Sequence, residues 1–340
     1  MGWQGSRRAR AWFIGAGVLI SAGCARRPVA VGAGGQALVH VSLQTDWFAQ
    51  PEHGGFYEAL VKGYYRDAGL DVEIRQASPT TIVQQVVATG QADFGIGSSN
   101  DVLVAAGRGI PLVMVGALMQ RDPQALMVHR ESGIRSFKDL DGRKVMAVPG
   151  TPFIDVLEKI YGIRISVTPS DFGMARFLAD KNFIQQCFVT NEPYYVSQHG
   201  ADPEVLLISD SGFSPYRVWY ARRSLLQEHP DIVRAFTAAS IRGWSDYIAG
   251  DRAAANALIA SLNPKMEPAF MDFSVQAMQK YRLVTGDPAA GEAVGRISRA
   301  RLELLIRQIG SVGLLDHPVT VDDVFDPRFQ PAPEVAAAAK

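Results

Sequence analysis

The chain is short of several things that would each have pointed to a chemistry. Its 340 residues include only two cysteines and six histidines. Two cysteines cannot build a disulfide scaffold or a four-ligand zinc site. The histidines fall at no HExxH spacing, so neither a metal centre nor a cofactor is expected. Charge of one sign is also missing, because 34 lysines and arginines balance 34 aspartates and glutamates. Without a basic surplus there is nothing to hold nucleic acid or an anionic membrane surface non-specifically. A membrane-spanning run is lacking too: the apolar stretch Ala11–Gly23 has about 13 residues where a span needs roughly 20. What is present is a foldable composition, 47% hydrophobic and 20% charged. The length suits about two ordinary domains or one large α/β unit.

Residues 1–23 read as an export signal. Arg7, Arg8 and Arg10 precede the short apolar run, which ends in Ser21-Ala22-Gly23 directly before Cys24. The sequence resembles a bacterial lipobox, with Ser21 where leucine is usual and Ile20 one place earlier. Ser6-Arg7-Arg8 lacks the hydrophobic pattern of a twin-arginine signal. Cys24 is therefore expected to carry a lipid, with residues 24–36, rich in Arg, Pro, Ala and Gly, as a tether. Cys187 would then stand alone, most simply as a buried small hydrophobe; a Cys24–Cys187 disulfide is the alternative.

From Ala37 onward, short strand patterns alternate with longer helical ones, the mark of parallel α/β architecture. Strands are expected at Leu38–Leu43, Val72–Arg75, Phe94–Gly97, Leu112–Gly116, Ala125–Val128, Lys144–Val148, Gln186–Val189 and Val205–Ile208. Helices are expected at Gly55–Ala68, Thr80–Thr89, Asp101–Ala106 and Ile154–Tyr161. Beyond about residue 216 the pattern becomes mostly helical, over Pro230–Ala249, Arg252–Leu262, Pro268–Tyr281 and Ala289–Val312. This order implies two lobes joined by crossovers: residues 37–120 in lobe 1, 121–215 in lobe 2, 216–330 returning to lobe 1, and 331–340 as a tail. A ligand would lie between the lobes, at strand carboxyl ends where helix amino termini point.

The residues also carry a resemblance. Thr45-Asp46-Trp47-Phe48, Pro51-Glu52-His53-Gly54-Gly55-Phe56-Tyr57, Lys62-Gly63-Tyr64-Tyr65 and Gly69-Leu70-Asp71-Val72 resemble the opening of the thiamine-pyrimidine-precursor-binding family. That family overlaps the periplasmic binding proteins for nitrate, sulfonates and taurine. Gly90–Gly97, Gly109–Leu112, Ser132-Gly133-Ile134, Phe137–Val145 and Asn191–Tyr195 follow in the order of the same template. The resemblance implies a two-lobed type II periplasmic-binding-protein fold that closes on a small molecule. It also implies partners, the permease and ATPase of an ABC importer, and an extracytoplasmic monomer held to the membrane through Cys24. A eukaryotic branch of the family makes the thiamine pyrimidine with a cysteine-rich motif and an active-site histidine. The want of a cysteine cluster argues against that chemistry here.

The candidate ligand contacts follow from residue type and place. Asp46, Trp47 and Phe48 come straight after the first strand; the rings could stack on a flat heteroaromatic, and Asp46 could accept from a ring amine. His53 matches the family position at a helix entrance, and Gly54 would let a ligand approach the backbone closely. Tyr57 suits a pocket wall. Ser98 and Ser99 stand at a helix amino terminus, with Thr151 in the equivalent place in lobe 2. Glu192 would need a partner such as an amino-bearing ligand, and Tyr194 and Tyr216 are weaker pocket candidates. No catalytic residue is assigned. The expected ligand is a pyrimidine-like or flavin-like ring, because a sulfonate would want arginine or lysine and none lies in the first loops. The alternatives are a sulfonate, taurine or nitrate binder, a sensor of the same fold, and a pyrimidine-biosynthesis enzyme with His53 as the reacting residue.

Overall fold

The computed structural model describes residues 1–2 and 37–331. The expected export signal beyond residue 2, Cys24, the expected tether and all but the first residue of the expected tail lie outside the described residues.

Among the described residues, ten strands form two five-stranded sheets. They are β1 Val39–Gln44, β2 Leu70–Arg75, β3 Phe94–Ser98, β4 Leu112–Met119, β5 Gln124–His129, β6 Lys144–Ala147, β7 Ser166–Pro169, β8 Ile184–Phe188, β9 Pro203–Leu207 and β10 Arg217–Arg222. Between them and after them run α1 Gly54–Val61, α2 Tyr64–Asp67, α3 Val83–Ala88, α4 Ser99–Gly107, α5 Pro152–Tyr161, α6 Ala175–Ala179 and α7 Glu192–Gln198. The carboxyl-terminal helices are α8 Arg223–Glu228, α9 Pro230–Ala249, α10 Ala253–Leu262, α11 Pro268–Lys280, α12 Arg299–Ser311 and α13 Val321–Val324.

The first sheet has the order β2-β1-β3-β10-β4 and the second β7-β6-β8-β5-β9. Strands β1, β2 and β3 are parallel, whereas β10 runs antiparallel to β3 and β4. In the second sheet β6, β7 and β8 are parallel, whereas β5 runs antiparallel to β8 and β9. The odd strands, β5 and β10, are the ones the chain enters on leaving the other sheet. A chain that departs from one sheet's carboxyl edge and enters the next at that sheet's carboxyl edge must run against its neighbours. The topology thus faces the two carboxyl edges toward one another, which is where α/β sheets place ligands.

Helix α1 packs tightly on α9. A Cβ at Gly54 would stand 2.1 Å from the Tyr247 ring, and one at Gly55 would stand 2.2 Å from Trp244. The core beneath is aromatic, with Phe94 stacked on Phe236 at 4.0 Å between centroids. Burying it supplies the non-directional part of the stability.

Several elements differ from the sequence expectation. The helix expected over Gly55–Ala68 is broken at Gly63, whose φ of 76° ends α1 in the left-handed region before α2 starts. The expected helix Ala289–Val312 begins only at Arg299, because Gly291 and Gly295 take φ of 74° and 82° and Ser298 caps the new start. The region after residue 216, read as mostly helical, opens instead with β10. Its middle residues, Val218–Ala221, are buried on both faces between two strands, so no alternating pattern marks it.

Candidate functional site

The loop after β1 is held in shape by its own backbone. The Thr45 hydroxyl donates to the Trp47 carbonyl at 2.6 Å, and the Ala77 amide donates to the same carbonyl at 3.2 Å. Asp46 is thereby aimed at two partners: the His53 ring nitrogen Nε2, 3.1 Å from Oδ1, and Arg217, which pairs with Oδ2. Arg217 comes from the first residue of β10, opposite Ser98 in the sheet. Its guanidinium also lies 5.6 Å from the Phe188 ring centroid at the end of β8 in the second sheet. Burial lowers the Arg217 pKa to about 10, so the group stays charged near neutral pH.

His53 is 1% exposed. Burial pushes it down to about 4, which leaves a neutral ring with an unpartnered Nδ1. One residue earlier, Glu52 reaches across to the second lobe, where the Thr190 hydroxyl donates to Oε1 at 2.5 Å. Its Oε2 is buried without a partner, and burial raises its pKa. A turn further along α1, the Tyr57 hydroxyl is likewise buried and unpartnered, and burial raises it to about 12. Buried polar atoms normally find partners; among the described residues, three atoms without one fall within residues 52–57.

The second lobe contributes its own carboxyl edge. Glu192, at the start of α7, accepts from the Phe188 amide at 2.8 Å, and burial lifts its pKa to about 7. Phe172 holds a left-handed backbone at φ 57° and presents its ring to Trp47 of the first lobe at 6.0 Å. Phe48 lies edge-on to Trp47 at 5.7 Å and is 43% exposed. Thr151 stands at the head of α5, its hydroxyl making no capping bond.

Other expected contacts are spent elsewhere. Gly54 gives its missing side chain to the Tyr247 ring, so packing of α1 on α9 takes the space foreseen for a ligand. Ser99 exchanges bonds with the Tyr216 backbone, at 2.8 Å and 3.1 Å; its hydroxyl locks β10 to α4 rather than opening to the cleft. Ser98 caps α4 and bonds Asp101 through its amide. Tyr194 packs on Phe270 and Phe273 of α11 at 5.5 Å and 5.4 Å, which ties the lobes together beside the cleft. Tyr216 lies under the Arg301 guanidinium at 3.8 Å and accepts from the Ser298 amide, a structural position. Cys187 is buried and, among the described residues, free.

Sequence reasoning missed Arg217, Glu52, Thr190, Phe172 and Phe188. No arginine lies in the first loops, but β10 brings Arg217 to Asp46 from far along the chain. Its only sequence signal was an arginine opening the apolar run Val218-Trp219-Tyr220-Ala221.

Comparison with known proteins agrees with this architecture. The chain is similar to the riboflavin-binding protein RibY of Chloroflexus aurantiacus, 26% identical over 310 residues that cover 86% of this chain and 87% of the relative. It is also similar to the 4-amino-5-hydroxymethyl-2-methylpyrimidine phosphate synthase of Candida albicans, 32% identical over 139 residues, but only 40% of either chain is covered. The fold is that of the periplasmic aliphatic sulphonate binding protein SsuA from Escherichia coli, with a TM-score of 0.58 at 14% identity over 88% of this chain and 94% of that one. This is the two-lobed periplasmic-binding-protein architecture that the resemblance implies. Residues 50–254, more than half of the chain, match the family model described as NMT1/THI5 like, and the chain belongs to that family.

Proposed function

We propose that the chain is the extracytoplasmic solute-binding component of an ABC importer, and that it captures a small, flat, nitrogen-containing ring by closing its lobes. The observation that carries this reading is the concentration of buried, unpartnered polar atoms on Glu52, His53 and Tyr57, where the carboxyl edges of the two sheets meet. A binding protein holds such groups unsatisfied until the ligand arrives. The His53 Nδ1 is a bare acceptor, Arg217 is a donor array, and Glu192 titrates near neutrality. Together they suit a ring with both N–H donors and exocyclic oxygen acceptors, flanked by Trp47 and Phe172. The near-full-length likeness to RibY, against the partial likeness to the synthase, supports binding over catalysis.

Arg217 gives some weight to a second reading, a small oxyanion such as a sulfonate. Thermal unfolding in the presence of riboflavin, an aminopyrimidine, taurine, an alkanesulfonate or nitrate separates the two. A ligand confined to the folded state adds about 2.7 kcal/mol at a hundredfold excess over Kd. Stabilisation by a ring compound alone is expected; stabilisation by the sulfonates alone replaces the ring reading with the oxyanion one.

Delivery to a permease and ATPase, and anchoring through a lipid on Cys24, complete the proposal. A fatty-acid label should enter the wild-type chain and not Cys24→Ser; label retained in the variant would remove the anchor.

A further inference from the structure

Glu52 is the least expected group in the cleft. It is 4% exposed and belongs to the turn before α1, yet the side chain it bonds, Thr190, lies 138 residues along the chain in the other lobe. Thr190 is itself fully buried. The groups around Glu52 do not neutralise an anion. His53 beside it is a neutral imidazole already engaged with Asp46. Across the junction, α7 brings Glu192, a second buried carboxyl whose like charge repels that of Glu52, and Tyr195. On α1, Glu58 is matched by Lys62 at 2.8 Å; on α9, the Tyr247 hydroxyl donates to Asn256, and Asp272 of α11 adds negative charge beside Tyr247. The cleft's guanidinium, Arg217, is paired with Asp46. Among the described residues, no lysine or arginine forms an ion pair with Glu52 or Glu192.

An unpaired carboxylate in such a place costs more than taking up a proton does. We propose that closure of the two lobes is proton-linked, with Glu52 entering the closed junction as a neutral carboxylic acid. With the lobes apart, Thr190 and Glu192 no longer cover Glu52, and it titrates as an ordinary glutamate. Bringing them together buries it, so a proton is bound from solvent as the cleft shuts and is returned when it opens. Capture is then favoured in mildly acidic surroundings, and release is favoured as pH rises. This inference rests on the reading that the lobes close on a ligand, but not on which ligand that is.

The test uses the full chain in two arms. In the first, riboflavin is titrated calorimetrically in two buffers of different ionisation enthalpy, which reports protons taken up per ligand bound. Wild type should take up a proton, and its affinity should fall by up to about tenfold per pH unit above the ordinary glutamate range. Glu52→Gln, neutral and nearly isosteric, should bind with flattened pH dependence and smaller uptake. Thr190→Val removes a bond that favours the charged form, so it should move the proton-linked step to higher pH. Riboflavin binding without proton exchange in wild type overturns the proposal while leaving the binding reading intact. In the second arm, small-angle X-ray scattering without ligand reports the closed fraction from about pH 5 to pH 8. Glu52→Gln should gain on wild type as pH rises. Parallel curves overturn the proposal even if riboflavin proves to be the wrong probe.

Discussion

The cleft and the hinge are both buried and polar, yet they satisfy their atoms in opposite ways. At the hinge, Arg301 of α12 reaches both crossovers at once. It donates to the Ser214 carbonyl at 2.7 Å and the Ser214 hydroxyl at 2.8 Å, and to the Gln120 carbonyl. It pairs with Glu292 at 2.9 Å and stacks on Tyr216 at 3.8 Å. The Asp122 amide donates to the Pro215 carbonyl, joining one crossover to the other. In the cleft, by contrast, Glu52 Oε2, His53 Nδ1 and the Tyr57 hydroxyl are buried with nothing to bond. Paired groups fix a geometry, whereas unpaired ones store a demand that a ligand can meet. Unpartnered atoms occur elsewhere, such as Glu58 Oε2, the Tyr220 hydroxyl, Trp244 Nε1 and Ser274 Oγ; what distinguishes the cleft is that two of the residues carrying them, His53 and Glu52, also bond Asp46 and the second lobe's Thr190.

The hinge network depends most heavily on Arg301. Arg301→Ala leaves Glu292 and several carbonyls without their donor, and should cost about 3–5 kcal/mol in urea unfolding. Arg301→Lys should recover little of it, because a single ammonium cannot reproduce the fork. A loss below about 1 kcal/mol would place Arg301 among ordinary surface pairs.

The cleft should respond in the other currency, affinity rather than stability. Arg217→Gln is expected to weaken riboflavin binding by about 10- to 100-fold, equivalent to about 1.4–2.8 kcal/mol, with the far-ultraviolet dichroism unchanged. Trp47→Ala or Phe172→Ala should cost about tenfold, mainly through faster dissociation in stopped-flow fluorescence. Equal affinity in either variant would remove that ring from the site.

The smallest effect is the pH profile of stability. Glu192 is raised to about 7 from 4.5 by burial. The folded chain therefore holds a proton that the unfolded chain has lost, and this contribution fades as pH rises through about 7. His53 is lowered from 6.5 to about 4; the unfolded chain binds the proton first, so that contribution fades as pH falls from 6.5 toward 4. Glu192→Gln should flatten the alkaline arm and His53→Gln the acid arm, read from thermal midpoints across the range.

The sequence made parts of this architecture plain. Helix α9 was legible to its ends because Pro230 opens it and Gly250 closes it. The cleft loop from Asp46 to Tyr57 was legible because its residues are neighbours in sequence and sit after a strand. Strand β10 was not, since a strand buried on both faces has no alternation to display. Arg217 was hidden with it. Glu52 looked like an ordinary solvated turn residue; its burial is a tertiary fact, made by Thr190 and α7. Gly54, Ser99 and Tyr194 were plausible as ligand contacts by type, but in each case a distant element, α9, β10 or α11, had the prior claim.

The most direct test is amide hydrogen exchange with and without riboflavin. Protection is predicted to rise together in Trp47–Tyr57 of the first lobe and Phe188–Tyr195 of the second, while the crossovers 120–123 and 211–216, already tied by Arg301, change little. Protection confined to one lobe, or appearing chiefly in the crossovers, would contradict a ligand held between the facing strand ends.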